Sequence, residues 1–152
     1  YDKINIRTGA FFDSWKDTHQ TFELIITDVS SISQQVANKS DCYKGVTSDC
    51  GEDGLKNIKV IVKNVSKFLN EDGYFILPII SLCRLEELDE LLKNKFNVVN
   101  YSEKVEWPLP EFFKKNIKNF EYLINNKIIS VDYKFGAYLA FTKAAICHKY
   151  KK

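Results

Sequence analysis

Alternating amphipathic helices and nearly charge-free strands predict an α/β fold built on a mostly parallel sheet. Three stretches carry that expectation. Residues 51–81, GEDGLKNIKVIVKNVSKFLNEDGYFILPIIS, read as a turn, an amphipathic helix, a second turn and a buried strand. Residues 22–29, FELIITDV, form another strand almost without charge, and residues 81–96, SLCRLEELDELLKNKF, another amphipathic helix.

Within the first stretch, Leu55, Ile58, Ile61 or Val62, Val65 and Phe68 or Leu69 recur at the spacing of one helix face. Asp72-Gly73 stops that helix. The run Tyr74 to Ile80 carries no charge, which predicts a strand covered on both faces, as in a parallel sheet flanked by helices. Between residues 22–29 and Tyr74 lies enough chain for the helical crossover that two parallel strands need. Leu82, Leu85, Leu88 and Leu92 form the stripe of the next helix, with Ser81 as its expected N-cap. These stripes are core positions and speak for fold, not function.

The remaining elements follow from the same signals. KINIR at 3–7 reads as a short strand ended by Thr8-Gly9, and NVVNYSEKVEW at 97–107 as a strand that Pro108-Leu109-Pro110 breaks. Glu111 to Asn126 has a helical face of Phe112 or Phe113, Ile117, Phe120 and Leu123 or Ile124. Residues 131–149, VDYKFGAYLAFTKAAICHK, predict one last strand with a bulge at Gly136. Residues 32–54 are rich in Ser, Asn, Asp and Gly, and such a long loop in a compact domain is a functional or mobile segment.

Length and composition bound the function. The 152 residues suffice for one domain with a substantial core. Twenty-two basic and 20 acidic residues give a net charge of +2, which argues neither for nor against nucleic acid. No apolar run approaches the length that spans a bilayer, and no secretory signal is present, so a reduced cytoplasmic protein is expected. Cys42 and Cys50 share a loop without CxxC spacing, and His19 and His148 lie far off, so no metal site is expected. The chain begins at Tyr1 and contains no Met, so a fragment, or a sequence from which some residues are missing, is expected. It has no GxGxG or GxGxxG loop, so half of any nucleotide-type site is expected elsewhere.

In an open parallel sheet the carboxyl ends of strands line the ligand crevice, which predicts Thr8 to Phe12 and Asp28 to Ser31 along one rim. Asp28 ends a strand with little other polar chemistry. It either caps a turn with Ser30 and Ser31 or contacts a ligand, accepting a substrate N–H or serving as a general base if burial raises its pKa. Glu52 and Asp53 precede the 55–69 helix, where capping is the simpler role and a substrate contact the alternative.

The Gly51-Glu52-Asp53-Gly54-Leu55 opening, Ile58, Ile61, Phe68-Leu69, Gly73 and the strand Tyr74 to Ile80 together resemble the second half of class I S-adenosylmethionine-dependent methyltransferases. The nearest likeness is to the HemK-like glutamine methyltransferase group and its small-domain relatives. FELIITDV is similar to their fourth strand, and Thr8-Gly9-Ala10-Phe11-Phe12 to the G-D-L-F turn after their third; the likeness covers nearly the whole chain. It implies that residues 1–152 are the C-terminal portion of one methyltransferase catalytic domain. The implied fold is a Rossmann-like sheet, mostly parallel with an antiparallel last strand from residues 129–147 and with the first strands missing. It implies S-adenosyl-L-methionine as cofactor, with Ala10, Phe11 and Phe12 toward the adenine and Asp28 near the reacting methyl. The family's Asp stands where this chain has Ala10, and its Asn-Pro-Pro-Tyr loop is here Asp28, Val29, Ser30 and Ser31. Glutamine-amide transfer is therefore not implied.

The resulting expectation is methyl transfer to an N, O or C nucleophile of an unidentified acceptor, with Asp28, Ser30 and Ser31 at the reaction and Glu52 and Asp53 shaping the acceptor pocket. Two alternatives stand beside it. One is a non-catalytic methyltransferase-like module that binds a partner protein. The other is a nucleic-acid surface using Lys114, Lys115, Lys118 and the basic tail. An open sheet without its first strands also exposes an unpaired edge, so the chain is expected to associate, aggregate or require its missing half or another chain.

Overall fold

The computed structural model describes residues 4–40 and 48–151. Six strands form one mixed, curled half-barrel sheet: β1 (Phe22–Ile26), β2 (Leu69–Ile80), β3 (Phe96–Tyr101), β4 (Val105–Pro108), β5 (Asp132–Lys134) and β6 (Ala137–Tyr150). The main path is β1-β2-β6-β3, with β4 and β5 also on β6. The helices are α1 (Gln34–Lys39), α2 (Lys56–Asn64), α3 (Leu85–Lys95), α4 (Glu111–Lys115) and α5 (Glu121–Asn125).

The expectation of a mostly parallel, Rossmann-like sheet is overturned. Only β1 and β2 pair in parallel; the other four pairings are antiparallel. The cause is β6, which lies between β2 and β3 and takes the edge a parallel β3 would need. It pairs Tyr74 with His148 through Ile80 with Thr142 on one side, and Phe96 with Tyr150 through Tyr101 with Ala145 on the other.

The charge-free run of β2 was expected to be covered on both faces, and it is covered fully on one. Phe75, Leu77 and Ile79 are buried with Ala145, Cys147 and Phe96 under α2 and α3, which contribute Ile58, Ile61, Val62, Leu88 and Leu92. On the other face Tyr74 is exposed and Ile76, Pro78 and Ile80 are half-buried. That alternation is what a sheet with one solvated face requires. Pro78, in a central strand, costs no ladder bond. Ile76 O accepts the Thr27 N–H at 3.1 Å, so Ile76 and Pro78 both turn their backbone groups toward the β1 side, and β1 has ended there.

A second core gathers Ile32, Val36, Leu82, Phe113, Phe120 and Leu123 beside the far end of β6. Here several elements differ from expectation. Residues 4–7 form no strand, and Ile4 and Ile6 remain 70% and 87% exposed. Asp72-Gly73 lies inside β2, in the irregularity that lets Phe22 pair with Leu69 but Leu24 with Tyr74. Ser81 does not cap α3, whose N-cap is Arg84. Buried Ser81 instead clamps β6: its Oγ accepts the Phe141 N–H at 3.0 Å and its N–H donates to Phe141 O at 2.9 Å. Residues 97–107 divide into β3 and β4, and the 111–126 helix into α4 and α5 around a 3-10 turn at Ile117–Asn119. The single last strand is a hairpin. Phe135 and Gly136, with φ of 52° and 79°, make the two-residue left-handed turn between β5 and β6 rather than a bulge. Of the 32–54 stretch, residues 41–47 lie outside the described residues; residues 32–40 contain α1, and Ser33 N–H to Leu82 O and Gln34 N–H to Gly51 O, at 2.8 and 2.9 Å, hold its start.

Gly54 joins that loop to α2 at a close approach to backbone and side chain. Its φ is +77°, and an added Cβ would stand 2.8 Å from Cys83 Cβ and 2.9 Å from Ser33 N. Gly136 has a similar φ with nothing within 4 Å. Replacing Gly136 with Ala is expected to cost only the left-handed backbone penalty, about 1 kcal/mol. Gly54→Ala adds overpacking to that penalty and is expected to cost about 3 kcal/mol in all. Urea denaturation of the two variants measures the difference.

Candidate functional site

Two hollows meet at the carboxyl end of β1. A cleft of about 540 Å³ runs along the open edge of that strand, from Phe11, Phe12 and Trp15 to Asp28, with Ile61 of α2 as its inner wall. A smaller cavity of about 210 Å³ lies where Asp28, Ser30 and Ser31 face Pro78, Ile80 and Thr142. Asp28 borders both. Its placement follows from the chain: β1 is apolar through Ile26, its ladder ends with the Thr27 N–H bond, and the next residue is delivered past the sheet.

The structure brings some expected residues together and separates others. Asp28 and Ser30 are exposed, so the burial that the general-base expectation required is not met; the Asp28 carboxylate stands free to accept a hydrogen bond. Ser31 is buried and forms cavity wall, and Ser30 O accepts the Cys50 S–H at 3.2 Å. Phe11 and Phe12 line the same cleft as Asp28, but from its other end. The Phe12 ring stacks on Phe68 at 4.7 Å, and Phe68 O accepts the N–H of Phe22, the first residue of β1. At about 3.3 Å per strand residue, the six residues from Phe22 to Asp28 span roughly 20 Å. The single rim expected for Thr8–Phe12 and Asp28–Ser31 is thus corrected to the two ends of one cleft.

At the near end, a short turn is built by Asp13 N–H to Ala10 O and Trp15 N–H to Phe12 O, both 2.9 Å. Phe11 sits in it with φ of 50°, its ring exposed. Trp15 meets Phe22 edge-on at 5.0 Å and carries the Arg7 guanidinium 4.0 Å over its ring. Phe12 has its face occupied; Phe11 does not.

Compared with known proteins, the chain matches no family model, no curated protein and no solved structure. Its chemistry rests on its own geometry.

Glu52 and Asp53 stand apart from both hollows. Glu52 is exposed, and its backbone O accepts the Ser33 Oγ–H at 2.6 Å. Asp53 is not the cap expected of it, since the N-cap of α2 is Leu55; its Oδ1 accepts the Leu55 N–H at 2.9 Å just ahead of the helix, and its Oδ2 pairs with Lys59 Nζ at 2.6 Å, while Lys59 also reaches Glu87. Burial alone would raise the Asp53 pKa, but the Lys59 ammonium and the Leu55 N–H together hold it below its usual value. Its carboxylate is spent on the entrance to α2.

Two site residues were missed in the sequence. Thr27 Oγ1 is buried beside the cleft without a hydrogen-bond partner among the described residues; the signal was a hydroxyl ending an otherwise apolar run. Thr142 lines the small cavity, with Oγ1 accepting the Trp107 Nε1–H at 3.0 Å, and nothing local in the sequence places it opposite Asp28. Among the described residues no cysteine lines either hollow. Burial pushes the Cys83 and Cys147 thiols up to about 12, and Cys42 lies outside the described residues. Among the described residues no group of three or more His, Cys, Asp or Glu side chains could hold a metal, and no helix is long and apolar enough to cross a membrane.

The depressed Asp53 pKa has a stability consequence. A carboxyl whose folded pKa lies below its unfolded value stabilises the fold above the unfolded value, near 3.8, and loses that contribution as pH falls through the folded one. Asp53→Asn keeps an acceptor for Leu55 but loses the charge facing partly exposed Lys59. It is expected to be less stable than wild type by up to about 1 kcal/mol at pH 7, with the gap closing below about pH 4. Paired urea titrations at pH 7 and pH 3 measure it.

Proposed function

We propose that this chain supplies the acceptor side of S-adenosylmethionine-dependent methyl transfer. The observation that carries the reading is Asp28: an unpaired, exposed carboxylate at the carboxyl end of a strand in a parallel pair, at the junction of a long cleft and a small cavity. The resemblance of residues 8–12, 22–29 and 51–80 to methyltransferases supports it, although Asp28 to Ser31 depart from the family's loop. The geometry supports part of a cofactor fit. Phe11 offers a free ring face of the kind an adenine stacks on, and Asp28 faces the place where an acceptor would enter. No residue of the described structure forms a glycine-rich cradle for the amino-acid end of the cofactor, so the reading requires that group from outside these residues.

Bound S-adenosylmethionine would supply an electrophilic methyl group. The chain's own residues then act on the acceptor. Asp28 accepts the hydrogen bond of an acceptor N–H or O–H, which orients the lone pair of that atom for in-line transfer, and the proton lost as the acceptor reacts passes to solvent at the open mouth of the cleft. Thr142, whose Oγ1 already accepts the Trp107 N–H, has its own hydroxyl proton left to donate into the cavity. Ser30 lies exposed at the mouth and Ser31 closes the wall. The 210 Å³ of the cavity suit a small side chain or ring edge rather than a whole macromolecular surface. The reading places the protein in the cytoplasm, where Cys50, Cys83 and Cys147 stay reduced.

One observation favours the non-catalytic alternative: the Phe12 ring, expected at the adenine, is stacked on Phe68 instead. Calorimetric titration of S-adenosylmethionine into this chain and into the whole gene product separates the two. Micromolar binding by the whole product is expected, together with transfer of labelled methyl to an acceptor in cell extract. That transfer is expected to fall by at least about 100-fold in Asp28→Ala. Full turnover by the variant removes Asp28 from the mechanism; cofactor binding by neither form leaves the protein-interaction module.

A further inference from the structure

Between β3 and β4 the chain runs along β6 with one residue too many. Tyr101 pairs with Ala145 and Val105 with Thr142, so residues 102–104 stand opposite only residues 143 and 144. Ser102 holds this bulge: its N–H donates to Ala144 O and its Oγ accepts the Ala144 N–H, both at 2.9 Å. The extra residue reverses the alternation of the strand that follows. Tyr101 lies on the helix-covered face, where its hydroxyl donates to Asp89 of α3, whereas Trp107 packs in the second core on the other face. Lys104 is thereby turned onto the face that carries Tyr101, Phe141 and Lys143.

Two ammonium groups are fixed there. Lys104 Nζ stands 4.2 Å over the Phe141 ring, and Lys143 Nζ stands 3.6 Å over the Tyr101 ring. A ring contact holds the charge in place and leaves N–H donors on each nitrogen. Neither nitrogen has an oxygen partner among the described residues. The neighbouring acids do not supply one. Asp89 faces Lys143 from α3, but its Oδ1 accepts from the Tyr101 hydroxyl and its Oδ2 pairs with Lys93 at 2.7 Å. Glu106 pairs with Lys134, and Glu103 makes no ion pair among the described residues. Lys93, Lys104 and Lys143 therefore share one engaged carboxylate, an excess of two positive charges. The Lys143 pKa is held below its ordinary value, by burial first and by the Lys104 charge next, as befits a face that lacks an anion.

We infer that Lys104 and Lys143 form a binding site for a phosphate dianion, either free phosphate or the terminal group of a small phosphate monoester. Two negative charges match the excess of two, and the phosphate oxygens can accept from both ammonium groups at once, which a single carboxylate oxygen cannot. Lys114, Lys115 and Lys118 carry as much charge but stand over no ring among the described residues, so nothing fixes their geometry. The site lies on β6, separated from β1 by β2, and does not depend on the methyl-transfer reading.

Titration of the 15N-labelled chain with inorganic phosphate or methyl phosphate, at constant ionic strength set with chloride, tests it. The expected result is saturable movement of amide resonances at 101–105 and 141–145, with a dissociation constant of about 1 mM. Equal affinity for the two ligands identifies free phosphate as the source, and tighter binding of methyl phosphate identifies a monoester. Lys104→Gln and Lys143→Gln are each expected to weaken binding at least about 10-fold, while Lys143→Arg, which keeps the charge, stays within about 3-fold. Lys118→Gln should bind as wild type does, and far-ultraviolet circular dichroism checks that each variant is folded. Lys104 is exposed, so its variant keeps the test decisive if a Lys143 variant unfolds. Shifts that grow without saturating, an equal response to acetate, or binding that Lys104→Gln leaves unchanged each overturns the inference.

Discussion

The hydrogen-bond ladder of β6 is the constraint on which the rest of the structure depends. Its 14 residues pair with four other strands, β2 and β3 along one half and β4 and β5 along the other. A strand inserted between β2 and β3 satisfies backbone groups that a parallel neighbour would otherwise take up, and the crossover α3 must then carry the chain past β6 to reach β3. Ser81 secures the insertion where β2 ends: two bonds to Phe141 hold β6 in register, and the Ser130 N–H donates to Ser81 O at 2.7 Å. Ser81 therefore links β2, β6 and the segment leading into β5, two of the bonds through its backbone and one through its hydroxyl. Replacing the side chain leaves the buried Phe141 N–H without its Oγ acceptor, and that loss is the costly one.

From that ladder follows the asymmetry of the two faces. Both α2 and α3 lie on the face of Phe75, Leu77 and Ile79, while the second core covers only the far end of the other face. Leu24, Ile26 and Tyr74 remain in water, although Tyr74 recovers some contact by stacking on His148 at 4.4 Å. Pro78 belongs to the same pattern. It occupies the one position in a central strand where the adjacent edge has been vacated, and that vacancy is the floor of the small cavity. Sheet pairing and site are thus one arrangement seen from two sides.

Helices α2 and α3 were legible within the stretches 55–69 and 82–95 because each buries a stripe whose spacing is local, but α2 ends at Asn64, Leu69 already belongs to β2, and Leu82 lies ahead of α3 in the second core; β1 and β2 were legible because they lack charge. What could not be read was pairing. Tyr74 to Ile80 looks the same whether its neighbours are parallel or antiparallel, and the absence of charge predicts burial on both faces whereas one face is only half covered. The segment 131–149 has the composition of a single strand; its turn depends on Phe135 accepting a left-handed backbone beside Gly136, which propensity argues against. Ser81 has the local signature of a cap and a long-range role. The site shows the same division. Asp28 stood out because it ends an apolar run, and Asp53 because it precedes a helix, and both are determined by neighbours in sequence. Phe12 and Thr142 are placed by contacts with Phe68 and Trp107, 56 and 35 residues away in the chain.

The openness of the cleft sets what Asp28 can do. A carboxylate in water interacts with a bound partner at high effective dielectric, so its attraction for a proton or cation at 4 Å is on the order of 1 kcal/mol rather than several. Catalysis at such a site cannot rest on charge alone; it needs water excluded and the acceptor held in line. The apolar residues that line the cleft are Phe11 at one end, Ile61 as inner wall, and Leu24 and Ile26 along the lip. An acceptor held against them would displace water from beside Asp28, so the packing of a bound molecule and the strength of its contact with the carboxylate are coupled.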